Sequence, residues 1–250
     1  MIRLPFNLQQ RWDDLLFLHY PIDPQVLQAQ LPNELVPDVK EGQAWLSVVP
    51  FSLTYWLPGL AIPWRFHELN LRTYVKPASR FQRNEGGVYF FCLDANHRIS
   101  VEAARFCYHL NYLNAEIHVN AIKEKNSNGS SIHYQSKRMD QRGNPAEFEA
   151  VYQPTREPLA LHSKAVLQSW LTERYRLYTT DGKGNLYTAT IKHNAWPLES
   201  AEFEVKTNGL LQAHGFSSIQ NEPSLTTYTR SLNVTTHSAT IVKFHSSIKN

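Results

Sequence analysis

A strand-like segment with alternating polar and apolar residues carries the clearest potential for chemistry in this sequence. It runs from Glu68 to Lys76 as Glu-Leu-Asn-Leu-Arg-Thr-Tyr-Val-Lys. In an extended strand successive side chains point to opposite faces, so Glu68, Asn70 and Arg72 share one face at a spacing of about 7 Å per two residues. If the other face meets a core, the polar row faces a barrel lumen or water. A lumen predicts binding of a small, polar, anionic ligand through Arg72; the alternative is a solvated strand face with cross-strand ion pairs.

Two other segments concentrate titratable groups. The stretch from Arg105 to Tyr112 contains His109, whose charge changes near neutral pH, so it could act as an acid or base. A hydrogen-bonded structural histidine is the alternative. Arg174 falls near the apolar face of a predicted helix, where it would either enter a pocket or form a structural salt bridge with an acid.

Common nucleotide, hydrolase and metal motifs are absent from the sequence. It contains no G-x-G-x-x-G, no P-loop and no G-x-S-x-G elbow. The 11 histidines never fall at H-x-x-x-H spacing, and the two cysteines do not form C-x-x-C. We therefore expect no cofactor and no metal, although a metal site assembled across strands stays open.

The elements that must position these residues are mostly strands. The chain has 250 residues, of which 42% are hydrophobic and 12% aromatic, a composition that favours sheet over a helix bundle. Ten strand-like runs are predicted: 45–55, 68–76, 88–95, 115–123, 131–138, 147–153, 186–193, 201–206, 225–234 and 239–244. An Asn128-Gly129 pair predicts a hairpin between the runs at 115–123 and 131–138. Helices are predicted after Asp23, with Pro24 at the first helical position, and after Ser163.

This pattern predicts a mainly β (α+β) protein with a large, mostly antiparallel β-barrel or strongly curved sheet and two or more peripheral helices. The formal net charge is only +3 and no Lys/Arg cluster is present, so nucleic acid is not an expected partner. No charged residue occurs from Gly42 to Trp64, a length that could span a bilayer. Three prolines interrupt this stretch, so we predict a strand followed by an apolar Trp56–Trp64 loop and no transmembrane segment. Such a loop should cover a pocket, meet a partner subunit or touch a membrane surface.

The cellular location and the state of the cysteines are predicted together. The first ten residues, Met1 to Gln10, lack the apolar segment of a secretory leader. We therefore expect a cytoplasmic protein in which Cys92 and Cys107 are reduced and buried in strands.

Six motifs in register give the chain a resemblance to a known family. They are Trp12-Asp13-Asp14-Leu15-Leu16-Phe17 with His19-Tyr20-Pro21, Val48-Val49-Pro50-Phe51, Glu68 to Val75, Phe90-Phe91-Cys92-Leu93-Asp94-Ala95, Leu171 to Tyr178, and Trp196-Pro197-Leu198. Over residues of about 10 to 235 the sequence resembles the YqjF-like family of uncharacterised conserved proteins, which is placed in the acetoacetate decarboxylase-like superfamily. The resemblance implies a single domain, residues 1–250, on a large and mainly antiparallel barrel, and favours a homo-oligomer. The Trp56–Trp64 loop would be the interface.

The resemblance also implies what chemistry is missing. Decarboxylases of that superfamily use a lysine that forms a Schiff base with a β-keto acid, and its amine is activated by a lowered pKa. In the similar segment of this chain Arg105 matches the arginine, whereas Tyr112 and Leu113 stand where two lysines would be. Neither residue can form an imine, so that chemistry is not expected unless Lys76 or another lysine reaches the pocket. Glu68 is similar in place to an acidic residue of the decarboxylase pocket.

Two functions follow, with an assembly compatible with either. The first is non-covalent binding of a small polar or carboxylate-bearing molecule in a barrel cavity. The second is a lyase or other enzyme that acts on a keto acid or related molecule by acid/base chemistry. The candidate ligand-binding residues are Glu68, Asn70, Arg72, Arg105, Tyr112 and Arg174, and the candidate catalytic residues are Glu68, His109 and Tyr112.

Overall fold

One continuous sheet organises the computed structural model, which describes residues 7–56, 62–78, 86–123, 130–159, 163–181 and 183–242. Within these ranges thirteen strands and four helices are present. The strands are β1 (Leu8–Ile22), β2 (Leu35–Pro37), β3 (Ala44–Trp56), β4 (Trp64–Pro77), β5 (Gly87–Ala95), β6 (Tyr112–Lys123), β7 (Ser130–Arg138), β8 (Glu147–Pro158), β9 (Arg176–Thr180), β10 (Leu186–Lys192), β11 (Glu199–Asn208), β12 (Leu225–Thr236) and β13 (Thr240–Ile241). The helices are α1 (Pro24–Gln28), α2 (Arg98–Tyr108), α3 (Ser163–Thr172) and α4 (Gly209–Ala213).

Nine strands close into a barrel. Their order is β5-β6-β7-β8-β11-β12-β1-β3-β4, and β4 pairs back to β5. Most neighbours are antiparallel, but β5 and β6 run parallel because helix α2 carries the chain back between them. The predicted barrel with peripheral helices is thus confirmed.

A second, smaller circuit shares one wall with this barrel. Strand β9 pairs parallel with β5, and β10 pairs with both β9 and β12. The strands β1, β3, β4, β5, β9, β10 and β12 therefore also form a ring, in which the first four and β12 belong to both circuits. These shared strands are covered on both faces.

Because side chains alternate along a strand, one face of the shared wall points into the nine-stranded barrel and the other points into the second circuit. On β4, Leu69, Leu71 and Val75 pack into the core of the nine-stranded barrel, with large buried side chains such as Tyr134 and Tyr152 opposite. The alternate residues of β4 face the second circuit, as period-two alternation requires.

Strand β1 changes its alternation at Asp14, which has a positive φ of 56°. The pairing with β3 shifts register between Asp13 and Leu18. Such a bulge inserts one residue and swaps the faces of the residues that follow. Trp12 before the bulge and Phe17 after it consequently line the same cavity.

The predicted elements agree with the structure in most places. Each of the ten predicted runs contains an observed strand, and the hairpin of β6 and β7 has the expected register from Ala115 with Arg138 to Lys123 with Ser130. Its Asn128-Gly129 turn lies outside the described residues. Sequence patterns did not predict the strands β1, β2 and β9 or the helices α2 and α4. The prediction that both cysteines are buried in strands was wrong for Cys107, which is half-buried on α2; Cys92 is buried in β5, and both thiols are free.

Two remaining predictions concern apolar surfaces. Among the described residues, no helix has both the length and the apolar character needed to cross a bilayer. The Trp56–Trp64 loop lies partly outside the described residues, at 57–61. Of its ends, Ile62 is 75% exposed and Trp56 is 41% exposed.

Candidate functional site

A cavity of about 300 Å³ lies inside the second circuit. Residues from all seven strands of that ring line it, and helix α2 covers it with one face. Most of the lining is apolar and aromatic. Five of the six predicted ligand-binding residues are part of the lining: Glu68, Asn70, Arg72, Tyr112 and Arg174.

Glu68 forms the acidic point of the cavity. Its side chain is buried, and it accepts hydrogen bonds from the Tyr112 hydroxyl at 2.7 Å and from the Asn70 amide at 3.3 Å. Burial raises the pKa of Glu68 to about 7, against the opposing effect of these two hydrogen bonds and with a smaller contribution from Asp94. The carboxyl group therefore exchanges its proton near neutral pH, as a general acid or base must.

Arg72 forms the basic point. The residue is 8% exposed, and its Nε and Nη2 atoms are buried without a hydrogen-bond partner among the described residues. The guanidinium carbon lies 5.2 Å from the centre of the Phe17 ring and 5.9 Å from that of Tyr74. Aromatic faces offset only part of the cost of burying a cation. Arg72 thus presents unused donors to the cavity.

Buried polar side chains on the neighbouring strands β1 and β3 lie beside Arg72. His19, Ser47 and Arg72 lie opposite one another on β1, β3 and β4. Ser47 Oγ is 2.7 Å from both His19 Nδ1 and the Tyr74 hydroxyl. Burial, and then the charge of Arg72, lower the pKa of His19 to about 3. His19 is therefore neutral, and it adds no second positive charge beside the arginine.

Arg174 both enters the cavity and forms a salt bridge. Its Nη1 donates to Asp38 at 2.8 Å, its Nε donates to the Trp170 carbonyl, and its Nη2 is buried without a hydrogen-bond partner within the described ranges. The guanidinium stacks 4.0 Å from the centre of the Trp170 ring. Asp38 also binds Lys76 at 2.7 Å. One carboxylate therefore serves two cations, and Arg72 adds a third positive charge on the same strand as Lys76.

No lysine is found among the described residues that line the cavity. Lys76 is held by Asp38 instead. The two residues at the positions of the decarboxylase lysines lie in different places. Tyr112 lines the cavity and donates a hydrogen bond to Glu68, whereas Leu113 is fully buried in the barrel core.

Two predicted site residues lie outside the cavity lining. Arg105 donates to the Tyr112 carbonyl at 2.7 Å and so fixes the turn after α2. His109 ends α2 with a left-handed φ of 54°, and its carbonyl accepts from the Thr179 hydroxyl. Both residues thus support the turn that places Tyr112.

Sequence patterns missed part of the lining. Helix α2 contributes its small residues Ser100, Ala103 and Ala104, and β9 contributes Arg176. The His97 side chain, which accepts from the Ser100 backbone N–H, was the available sign of a helix start, although histidine is an uncommon capping residue. Among the described residues no cluster of three or more His, Cys, Asp or Glu side chains could hold a metal ion.

Comparison with known proteins identifies similar sequences. The model of the family DUF2071, described as "Uncharacterized conserved protein", matches residues 9–233. The chain is 40% identical over 222 residues to the "Uncharacterized protein YqjF" of Bacillus subtilis (strain 168), which covers 87% of this chain and 86% of that protein.

Solved structures share the fold at low sequence identity. The enduracididine biosynthesis enzyme MppR, in complex with pyruvate, superposes with a TM-score of 0.67 at 13% identity, covering 97% of this chain and 93% of that one. An acetoacetate decarboxylase-like enzyme from Sphingomonas wittichii RW1 gives 0.62 at 16% identity, with 96% and 94% covered. The acetoacetate decarboxylase of Legionella pneumophila gives 0.62 at 12% identity, with 96% and 88% covered. The fold is therefore acetoacetate decarboxylase-like.

Proposed function

The chain belongs to this DUF2071 family of uncharacterized conserved proteins, and we propose that it binds a small carboxylate-bearing molecule in the cavity beside Arg72. The observation that carries the proposal is a buried guanidinium that lines a mainly apolar cavity and has two nitrogen atoms without a hydrogen-bond partner in the described part of the chain. A carboxylate would accept hydrogen bonds from such a group in a charge-assisted pair. A pocket of mainly apolar lining with a few convergent polar groups is typical of small-molecule sites.

The energetics of Arg72 support a ligand rather than a structural role. A buried charge without an ionic partner destabilises the folded state unless something neutralises it. Among the described residues no salt bridge is found for Arg72, and the buried carboxylate of Asp38 is already shared by Arg174 and Lys76. An anion bound at Arg72 would supply the missing negative charge.

Substitution of Arg72 by methionine tests this proposal. We expect Arg72→Met to lose at least tenfold in affinity for small carboxylates in isothermal titration calorimetry. Without ligand, it should unfold at the same temperature as the wild type or above it, because an unpaired buried charge is gone. Arg65→Gln is the matched control, since Arg65 lies on the same strand and is exposed. Unchanged carboxylate affinity in Arg72→Met would refute the proposal.

A second candidate function is acid/base catalysis on the bound molecule, favoured by the pKa of about 7 at Glu68. With the carboxylate of a 2-keto acid at Arg72, Glu68 would take a proton from the carbon next to the keto group, and the electron pair would form an enolate. Tyr112 donates to Glu68 and would orient it. The neighbour MppR, solved with pyruvate, supports keto acids as test compounds.

Proton exchange in D₂O, followed by NMR, tests this second candidate. Wild-type protein should exchange the protons next to the keto group of pyruvate or 2-oxobutanoate, and Glu68→Gln should not. Exchange at equal rates in both proteins would exclude Glu68 as the base. Borohydride treatment with the same keto acids should leave the protein mass unchanged; a stable adduct would instead reveal an imine-forming lysine.

Three further features remain proposals. We propose one domain over residues 1–250, a homo-oligomer formed through the Trp56–Trp64 loop, and a cytoplasmic location. Light scattering at several concentrations tests the oligomer, and limited proteolysis tests the domain. Cell fractionation tests the location.

A further inference from the structure

We infer that the ligand is a free carboxylic acid with a long apolar body, rather than a short acid such as acetate or pyruvate. This inference deepens the proposed function and rests on it. Its basis is the extent of the cavity along β3 and β4 and the position of the polar residues of β4 within its mainly apolar lining. The carboxylate would lie at Arg72 and the apolar body would extend toward Trp64.

The cavity is long in the strand direction. On β4 the lining residues alternate from Trp64 through Phe66 and Glu68 to Arg72. Eight residues separate the two ends, which corresponds to about 26 Å of extended strand. A molecule of the size of pyruvate, bound at Arg72, would leave the part of the cavity beyond Glu68 unfilled.

The polar side chains that β4 contributes to the lining lie in one part of this length, from Glu68 to Arg72. Beyond Glu68, in the direction of Trp64, cross-strand neighbours form apolar rows. Trp12 on β1 lies opposite Leu53 on β3, which lies opposite Phe66 on β4. The next row pairs Tyr55 with Trp64 and has one polar member, Gln10 of β1, opposite Tyr55. Such a surface contributes binding energy only to a ligand that removes apolar area from water.

Among the described residues the lining is most exposed at the apolar end, which we infer to be the entrance. Ile99 on α2 is 64% exposed and Trp64 is half-buried, whereas Arg72 is 8% exposed. The hydroxyls of Tyr55 and Ser100 are 2.9 Å apart, which holds the first turn of α2 at this end. The charged group of a ligand would therefore lie deep, and its apolar end would face the entrance. A thioester of the same acid would lack the carboxylate that Arg72 requires.

Helix α2 leaves room for an apolar chain because small side chains face the cavity. Ala103 and Ala104 lie one turn beyond Ser100 and line the cavity, and Tyr108, one further turn along the helix, lines it too. Ala104 is half-buried between these two ends. A large side chain at this position would occupy the space of the apolar body and leave the Arg72 end open.

Titration with a homologous series tests the inference. Acetate, butanoate, hexanoate and octanoate are added to the wild type, to Arg72→Met and to Ala104→Phe in calorimetric titrations. Each buried methylene should raise affinity by roughly two- to fourfold, so octanoate should bind roughly tens to hundreds of times more tightly than butanoate. Methyl octanoate, which has the chain without the charge, should bind at least tenfold more weakly than octanoate.

The variants separate this inference from the proposed function. In Ala104→Phe octanoate should lose its advantage while butanoate binds as in the wild type. Equal affinity for acetate and octanoate, or no effect of Ala104→Phe on octanoate, would overturn the long-chain inference and leave carboxylate binding at Arg72 standing. Equal binding of methyl octanoate and octanoate would overturn the assignment of the carboxylate to Arg72. Absence of binding by any acid in the series would refute both.

Discussion

Substituting Glu68 by glutamine should remove a pH-dependent destabilisation of the protein. In the folded state burial raises the pKa of Glu68 from 4.5 to about 7. Between these pH values the folded protein holds a proton that the unfolded chain has released, so a rise in pH favours unfolding. The stability linked to this proton is complete below pH 4.5 and is lost as the pH rises through 7. Glutamine keeps the shape of the protonated acid and does not ionise.

The expected size follows from the shift in pKa. A shift from 4.5 to about 7 corresponds to about 3 kcal/mol, at about 1.4 kcal/mol per pKa unit. At pH 8 to 9, Glu68→Gln should therefore be more stable than the wild type by up to about 3 kcal/mol. At pH 4.5 the two proteins should have nearly equal stability. Tyr112 can still donate its hydroxyl proton to the amide oxygen of glutamine, and Asn70 can rotate its amide to accept from the glutamine nitrogen.

Urea denaturation of both proteins at pH values from 4.5 to 9 measures this difference. The difference between the two curves isolates Glu68 from other groups that also titrate, among them Asp94, whose pKa is raised to about 6, and His214, whose pKa is lowered to about 4. Glu202→Gln on the exposed face of β11 is the matched control, and its profile should follow that of the wild type. Parallel profiles for wild type and Glu68→Gln would show that the carboxyl group titrates normally, and the argument for Glu68 as a proton donor or acceptor would fail.

Three further predictions concern stability. Arg138 and Asp94 form a buried ion pair at 3.0 Å. Arg138→Met should destabilise the protein by about 3–5 kcal/mol in urea denaturation because it leaves Asp94 as an unpaired buried charge. The added substitution Asp94→Asn should recover part of the loss. Gly87→Ala should destabilise by about 1–3 kcal/mol, since a Cβ there would lie 2.8 Å from a backbone oxygen of β9, and an unchanged melting temperature would refute that packing. Tyr228→Phe should cost about 1.5–3 kcal/mol in denaturant titrations because its hydroxyl donates to Asp14 Oδ1 at 2.5 Å; no loss of stability would mean that this bond does not fix the bulge of β1.

The alternation of residues on β4 was the most informative sequence signal for both fold and site. It correctly placed Leu69 and Leu71 in a core and Glu68 and Arg72 on the opposite face. Period-two alternation could not say whether that face meets water or an enclosed space, because this depends on strands distant in sequence. The pairing of β10 with β12 encloses it, and only two residue pairs make that contact.

The sequence pattern could not predict which residues would stabilise the backbone at the end of α2. His109 and Arg105 were candidate site residues because their side chains can transfer protons or bind anions. In the structure His109 ends α2, and Arg105 holds the turn that follows it. Arg174 combined both alternatives considered from the sequence, since it pairs with Asp38 and lines the cavity. Side-chain type indicated what each group could do, but its surroundings in the fold decided whether it faced the cavity.

The burial of β3 explains why the first part of the uncharged stretch from Gly42 to Trp64 carries no charge. Strand β3 belongs to both circuits, so its residues are buried almost without interruption from Ala44 to Leu53. Leu46 and Val48 pack in the barrel core, and on the other face Val49 and Phe51 line the cavity. A strand with one solvated face alternates polar and apolar residues, whereas a strand buried on both faces reads as a continuous apolar run. The part of the uncharged stretch that forms β3 is thus apolar because a cavity and a core lie on opposite sides of this single strand.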